Sequence, residues 1–533
     1  MSLAFHPRDI GSLLIGYPEG AVIFSFQQNK ATKFFDLGSD SRDPPRLTQA
    51  LWHPTGTFVL TGNDDSSFVI WDLKDGRKIA VRTLDGNQPS ASSTSGSTRG
   101  MTTVREPLFH IAWCSKENPD DTGILIAGGT AGTKAEKGLT FLDLGPTPVY
   151  ATCSWQMLSD HFNKPKRHQV LPVPPDSEVV DFCMIPRRSP HFAGSNDPIA
   201  VIALLASGEL ITLSFPSGHL ITPTNQLHVS LTYVHPFVNR ISMGYVDRTR
   251  WLSLVENRSH GPPILKGGAE PKRTMMRYAN RNVLQAAHAD GTIRIWDAGH
   301  GDEIENEDVL QVDVARSVGR YYDIDITSMS MSGATGELGV GLRTGEVAIF
   351  RWGKNRDFGR DMPHKEARGF GLETIVDRAE PSVKEGLLPL TLLDQQRGPV
   401  TALKMSDVGF VCAGFESGSL VVIDLRGPAV IYDASMNELS SQGGKISSYR
   451  RGGSSQNATS LELPTSISFS VISLDGEGQK FSSQIESLEL MCGRLFKHPD
   501  LRRYKPGSFG DSQVVTRDFW RLRYQVCWLV LSR

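Results

Sequence analysis

The chain has 533 residues, 39% of them hydrophobic and 21% charged, with a formal net charge of −2. A chain of this length predicts two domains rather than one, and its near-neutrality excludes a global electrostatic case for nucleic acid or an anionic membrane as partner. The six cysteines, at 114, 153, 183, 412, 492 and 527, form no CxxC pair and no His/Cys group at zinc spacing, which predicts free thiols in a reducing cytoplasm and no metal.

MSLAFHPRDI, the first ten residues, lacks the charged, apolar and cleavage regions of a signal peptide. Short apolar runs then recur along the chain, paired across small polar or Gly turns. Residues 2–35 contain YPEGAVIFSF from Tyr17, and 47–84 contain ALWHPTGTFVLTG followed by GNDDSSFVIWD. Residues 108–150 supply HIAWC, GILIAGG and LTFLDL, and 179–223 supply VVDFCMIP, IAVIALL and ELITLSF. A fifth unit starts near Leu227, is interrupted by a long insertion, and resumes at NVLQAAHADGTIRIWDAG. Residues 324–352 and 400–432 form a sixth and seventh unit, and SISFSVISLDG from Ser466 opens a partial eighth. Each unit has the pattern of hairpins between buried strands.

No amphipathic helical period separates the units, so an alternating α/β fold is excluded. A repeated four-stranded unit with Trp-Asp closing its third strand predicts an all-β chain of WD-repeat β-propellers. Residues 353–385 and 437–463, rich in charge, Gly, Pro or Ser, are expected to be loops. Residues 479–533 lose the alternation and read as an atypical tail.

GNDDSSFVIWDLKDG places four aspartates close together, which raises the question of a metal or acid–base site. Asp72 lies several extended residues beyond Asp65, too far to share an ion locally. Asp65 and Asp290 are therefore assigned to turns, and Trp71, Asp72, Trp296 and Asp297 to the ends of blade strands. His6 and His53 precede prolines at strand ends and read as turn residues. The chain has no GxSxG elbow and no GxxxxGK[ST] loop, so no catalytic or cofactor-binding residue is assigned and a non-enzyme is expected. The cations Lys266, Lys272, Arg273 and Arg277 form a short basic stretch, read as a solvated loop.

The segments LAFHPRDIGSLLIGYPEGAVIFSF, RLTQALWHPTGTFVLTG, AHADGTIRIWDAGHGDEIEN and GPVTALKMSDVGFVCAGFESGSLVVIDLRGPAVIYD resemble the lethal giant larvae/tomosyn family, and most of all its fungal exocytosis regulators. The resemblance covers about residues 2–478. It implies a scaffold that binds plasma-membrane SNAREs and the Rab GTPase of secretory vesicles, in the cytoplasm and peripherally at the plasma membrane where secretion occurs. The alternative function is a WD-repeat adaptor of another assembly.

Family members carry two seven-bladed propellers. Set against that pattern, residues 1–223 are expected to be the last four blades of the first and 224–478 the opening blades of the second. The resemblance also places a phosphorylation-controlled, membrane-binding loop at GKISSYRRGGSSQNATS, with Ser447 and Ser448 as candidate phosphorylation sites.

Overall fold

The computed structural model describes residues 2–9, 11–28, 30–38, 45–84, 106–129, 138–187, 197–221, 237–258, 280–298, 309–360, 371–435, 464–473 and 525–532. Its strands fall into antiparallel sheets that follow one another along the chain.

The first sheet is Leu3–Phe5 (β1), Ser12–Tyr17 (β2), Gly20–Ser25 (β3) and Lys30–Asp36 (β4), paired in that order. The second repeats it with Leu47–Trp52 (β5), Phe58–Asn63 (β6), Phe68–Asp72 (β7) and Lys78–Arg82 (β8). The third is Leu108–Ser115 (β9), Asp121–Gly128 (β10), Gly138–Pro146 (β11) and Arg167–Pro172 (β12), with helix α1, Trp155–Asn163, before its last strand. Val179–Pro186 (β13), Pro198–Leu205 (β14) and Leu210–Ser214 (β15) make a three-stranded fourth sheet.

The fifth sheet begins with Val238–Asp247 (β16). The chain then leaves through helix α2, Arg248–Ser253, and Asn257–Arg258 (β17), and returns with Asn280–His288 (β18), Thr292–Asp297 (β19) and Leu310–Asp313 (β20). Helix α3, Val314–Val318, leads to the sixth sheet: Ile326–Ser332 (β21), Glu337–Leu342 (β22), Val347–Lys354 (β23), Gly371–Thr374 (β24) and Val383–Asp394 (β25). β17 crosses over to pair with β25, so the insertion of the fifth unit completes the sixth. Val400–Met405 (β26), Phe410–Phe415 (β27), Ser419–Asp424 (β28) and Ala429–Ser435 (β29) form the seventh sheet. Ser466–Ser473 (β30) pairs with Gln525–Ser532 (β31).

The first strand of each sheet touches the first strand of the next, from β1 through β5, β9, β13, β16, β21 and β26 to β30, and β30 also touches β1. This is a β-propeller, and its core lies between the sheets. One apolar cluster joins Leu14, Ile23 and Phe35 of the first sheet to Val59, Val69 and Trp71 of the second. Middle strands are therefore covered on both faces: every residue of β6, β7 and β28 is buried. That is why they read as continuous apolar runs rather than alternating ones.

The series runs on across 223/224, because β13 and β16 are neighbours like every other pair of first strands. A sheet with two apolar faces needs a neighbour on each, and the ring gives the first and last sheets theirs. Residues 353–385, expected as a loop, are not all loop: they contain β24, a 3₁₀ turn at Val376–Arg378 and the start of β25. Pro389 sits in β25 opposite Phe350 at a register shift, where its missing N–H is tolerated.

Candidate functional site

The aspartates of the opening hairpins are structural. Asp65 Oδ1 accepts hydrogen bonds from Ser67 N at 3.0 Å and Ser67 Oγ at 2.5 Å. Asp290 Oδ1 does the same with Thr292, at 2.9 Å from its N and 2.7 Å from its Oγ1. Each carboxylate thus closes its own turn by satisfying the amide two residues on. Asp64 instead accepts from Arg46 N at 2.8 Å.

The two Trp-Asp pairs hold neighbouring parts of the ring together. Trp71 donates from Nε1 to Thr61 Oγ1 at 2.9 Å and packs on Phe35 of the preceding sheet, with ring centroids 5.5 Å apart. Asp72 accepts from the Tyr150 hydroxyl at 2.8 and 2.9 Å, tying the second sheet to the segment before α1. Burial, and then the adjacent Asp72 carboxylate, hold the Tyr150 phenol above its ordinary pKa. Trp296 is buried in the cluster shared by the fourth and fifth sheets. Asp297 pairs with Arg281, whose Nε lies 3.1 Å and Nη2 2.9 Å from Asp297 Oδ2, both side chains being 0% exposed. The structure brings none of these carboxylates to a common point, and among the described residues no group of three His, Cys, Asp or Glu side chains is arranged to hold a metal.

His53 is wholly buried beside Trp113, with ring centroids 4.7 Å apart, and its Nδ1 lies 2.6 Å from Thr55 Oγ1. Burial, with smaller contributions from the positive charges of His161 and Arg8, lowers its pKa to about 3. A depressed folded pKa means that the unfolded chain binds the extra proton between about pH 6.5 and about 3. Stability therefore falls as pH drops through that window, by at most about 1.4 kcal/mol per pH unit from this residue. Urea melts between about pH 7.5 and 5 should show a shallower pH slope for His53→Gln than for the unsubstituted chain.

Sequence reasoning missed a second feature, between the third and fourth sheets. A cavity of about 190 Å³ is lined by Glu106, Phe109, Gly128, Ser177, Glu178 and Val180, among others. Phe109 and Val180 are 53% and 51% exposed although they stand near the starts of first strands. The Phe109 ring lies over Gly128, where an added Cβ would meet Phe109 Cδ2 at 2.8 Å and the Pro107 carbonyl oxygen at 2.3 Å. Beside the cavity, His110 Nδ1 lies 2.7 Å from Asp181 Oδ1 and its ring stacks on Phe182, with centroids 4.3 Å apart. The one signal in the sequence was an aromatic and a Val beside Glu at the entry to two first strands. Ser447, Ser448 and the basic stretch at 266–277 lie outside the described residues.

Fold and side chains together define a WD-repeat β-propeller in which the conspicuous acidic residues serve architecture. Residues 43–72 match the WD domain, G-beta repeat family, and residues 323–495 match the family described as Lethal giant larvae (Lgl) like, C-terminal. Along most of its length the chain is similar to the lethal giant larvae family. It is 30% identical over 470 residues to Lethal(2) giant larvae protein homolog SRO77 of Saccharomyces cerevisiae, covering 83% of this chain and 46% of that one. It is 22% identical over 308 residues to Lethal(2) giant larvae protein homolog 1 of Rattus norvegicus, covering 56% and 25%.

The chain thus spans about half the length of its fungal relative. The C-terminal family match also runs past Gly478, where the sequence reading ended the resemblance. The solved structure of Saccharomyces cerevisiae Sqt1 is similar over 89% of this chain and 88% of that one, at 10% identity and a TM-score of 0.45. The fold rests on the sheets themselves and not on that likeness.

Proposed function

We propose that this chain is a non-enzymatic scaffold that binds plasma-membrane SNAREs and a secretory Rab GTPase, and so regulates vesicle docking and fusion in polarised exocytosis. The observation that carries this reading is the likeness to the yeast lethal giant larvae homolog across 83% of the chain, joined to the C-terminal family match over 323–495. A ring of sheets stapled by buried Trp-Asp pairs suits such a role, because it holds loops from many units in fixed positions for protein partners. The partition at 223/224, with the closing blades of one propeller before it and the opening blades of a second after it, belongs to the same proposal and concerns the longer relatives.

The test is a pull-down with the purified chain as bait. An assembled plasma-membrane SNARE bundle and a GTP-locked secretory Rab are expected to be retained, and the GDP-locked Rab is not. Loss of both interactions would leave the alternative, an adaptor of another assembly.

Cytoplasmic residence with peripheral attachment to the plasma membrane is part of this proposal. In the 444–460 segment, Lys445, Arg450 and Arg451 are the cations beside Ser447 and Ser448. Each cation near an anionic bilayer contributes about 1 kcal/mol, which a phosphate of charge near −2 would largely cancel. Sedimentation with phosphatidylserine liposomes is expected to show modest binding that Ser447→Asp/Ser448→Asp reduces. Equal binding by both proteins would make the segment a linker.

A further inference from the structure

A net charge of −2 conceals a local excess of cations on one outer edge of the ring. The last strands of the first three sheets carry Lys30 and Lys33 (β4), Lys78 and Arg82 (β8) and Arg167 (β12). By contrast β15, β20 and β29, the last strands of the fourth, fifth and seventh sheets, carry neither Lys nor Arg. Lys74 and Lys166, both exposed, extend the cationic edge in the adjoining segments.

These elements adjoin one another. Lys33 Nζ donates to the Lys74 carbonyl at 2.7 Å and Lys78 Nζ to the Leu37 carbonyl at 2.9 Å, which joins the first sheet to the second. Helix α1 packs on β8 through Leu158 and Phe162, in one cluster with Ile79 and Ala80, and then leads into β12. The carboxylates of this edge are engaged: Asp36 accepts from Gly38 N, Asp75 pairs with Arg77, and Asp160 pairs with Lys164. Asp143, opposite Arg167 in register, lies 3.4 Å from Lys116. Among the described residues, no carboxylate pairs with Lys30, Lys33, Lys74, Lys78, Lys166 or Arg167. The segments 39–44 and 85–105, which follow β4 and β8, lie outside the described residues, and their sequences balance Asp40, Asp43 and Asp85 against Arg42, Arg99 and Arg105.

Apolar side chains stand out from the same edge. Phe34 in β4 is 68% exposed, and in the first turn of α1 Met157 is 56% and Trp155 40% exposed. Isolated apolar tips among cations suit a charged bilayer: the tips enter the headgroup layer, where Trp is favoured, and Lys and Arg meet the lipid phosphates. A protein partner would call instead for anchors gathered at a desolvated pocket, and these three side chains stand on separate elements. We propose that the outer edge of the first three sheets is a membrane-contact face. Trp155 and Met157, with Phe34 beside them, enter the headgroup layer of an anionic bilayer, and Lys74, Lys166 and Arg167 meet its phosphates. This face deepens the peripheral attachment proposed above, on which it rests, and needs neither the SNARE and Rab partners nor the 444–460 segment.

The test is co-sedimentation of the full chain with vesicles of phosphatidylcholine alone or mixed with an equal part of phosphatidylserine. The chain is expected to bind the mixed vesicles, less so as salt rises, and not phosphatidylcholine alone. Lys74→Gln/Lys166→Gln/Arg167→Gln should weaken partitioning by about a hundredfold, at roughly fivefold for each cation near the surface. Trp155→Ser/Met157→Ser should weaken it by about tenfold or more. Brominated phosphatidylcholine in the mixed vesicles should quench the tryptophan fluorescence of the parent, and Trp155→Phe should remove most of that quenching while keeping most of the binding. All these positions are exposed, so every variant should keep the parent's thermal transition.

Parent-like binding by the triple Gln variant, quenching that survives Trp155→Phe, or no binding to the mixed vesicles would overturn the proposal. So would capture of soluble polyglutamate as tightly as the vesicles, because an acidic protein would then be the occupant. Binding that Ser447→Asp/Ser448→Asp abolishes and the triple variant leaves intact would overturn this face and leave the peripheral attachment standing. Retention of SNARE and Rab by a triple variant that has lost the vesicles is the expected result.

Discussion

Asp297→Ala is expected to lower the unfolding free energy by about 3–5 kcal/mol, because it strands the Arg281 guanidinium where water does not reach. Both members of the pair are 0% exposed, and Arg281 meets both carboxylate oxygens, with Nη2 3.0 Å from Oδ1 and 2.9 Å from Oδ2. The cost lies in a buried charge that has lost its neutralising carboxylate more than in the lost bond. Replacing both partners by apolar residues of similar size, Arg281→Met/Asp297→Leu, should therefore recover most of the loss. Asp72→Ala should cost less, since its removal leaves a neutral Tyr150 hydroxyl rather than a buried cation. Chemical denaturation of the parent and the three variants tests this. A double variant as unstable as Asp297→Ala would mean that Arg281 and Asp297 act through their other contacts rather than as a pair.

What was legible in the sequence was whatever repeats within a unit. The hairpin β6–β7 follows from GNDDSSFVIWD, and its register, Phe58 opposite Asp72 and Gly62 opposite Phe68, is set by the turn at 63–67. Even the departure from Gly at that turn is understandable: Ser66 takes φ 68° where other turns have Gly, and its hydroxyl is held by the Glu106 carbonyl.

What was not legible needed a partner distant in sequence. Helix α1 stands between units where the sequence shows no sustained helical period, because it is short, yet Ser154 caps it and Leu158 and Phe162, one turn apart, are buried. That pair was a readable signal. Its C-terminal end is capped from far away, by Arg82 Nη1 to the carbonyls of Phe162 and Asn163 at 3.3 and 3.0 Å. The crossover of β17 to the sixth sheet had no signal in two residues. Trp251, 0% exposed in the large cluster of the fifth and sixth sheets, gave no clue beyond its type. The cavity was hidden for the same reason, since Phe109 and Val180 meet only when two units stand side by side.

Trp296→Ala is expected to be nearly as costly as loss of Asp297, at about 3–5 kcal/mol, by leaving a void that the fourth and fifth sheets cannot both close. The indole is 2% exposed and lies in one cluster with Ile185, Ile202 and Leu204 of the fourth sheet and Leu284 and Ala286 of its own. A sheet covered on both faces has no solvent side toward which to relax, so a large part of the vacated volume should persist. Asp290→Ala is the contrasting case, because Asp290 stands in the turn before the buried strand residues Ile293, Ile295 and Trp296. Its removal takes away the two turn bonds to Thr292 and should cost about 1–2 kcal/mol. Thermal and urea melts of both variants, with SNARE and Rab pull-downs on whatever remains folded, separate architecture from binding. Both substitutions should reduce partner retention only in proportion to the folded fraction. A Trp296→Ala protein that melts like its parent yet loses one partner would show that this tryptophan belongs to a binding surface rather than to the seam between two sheets.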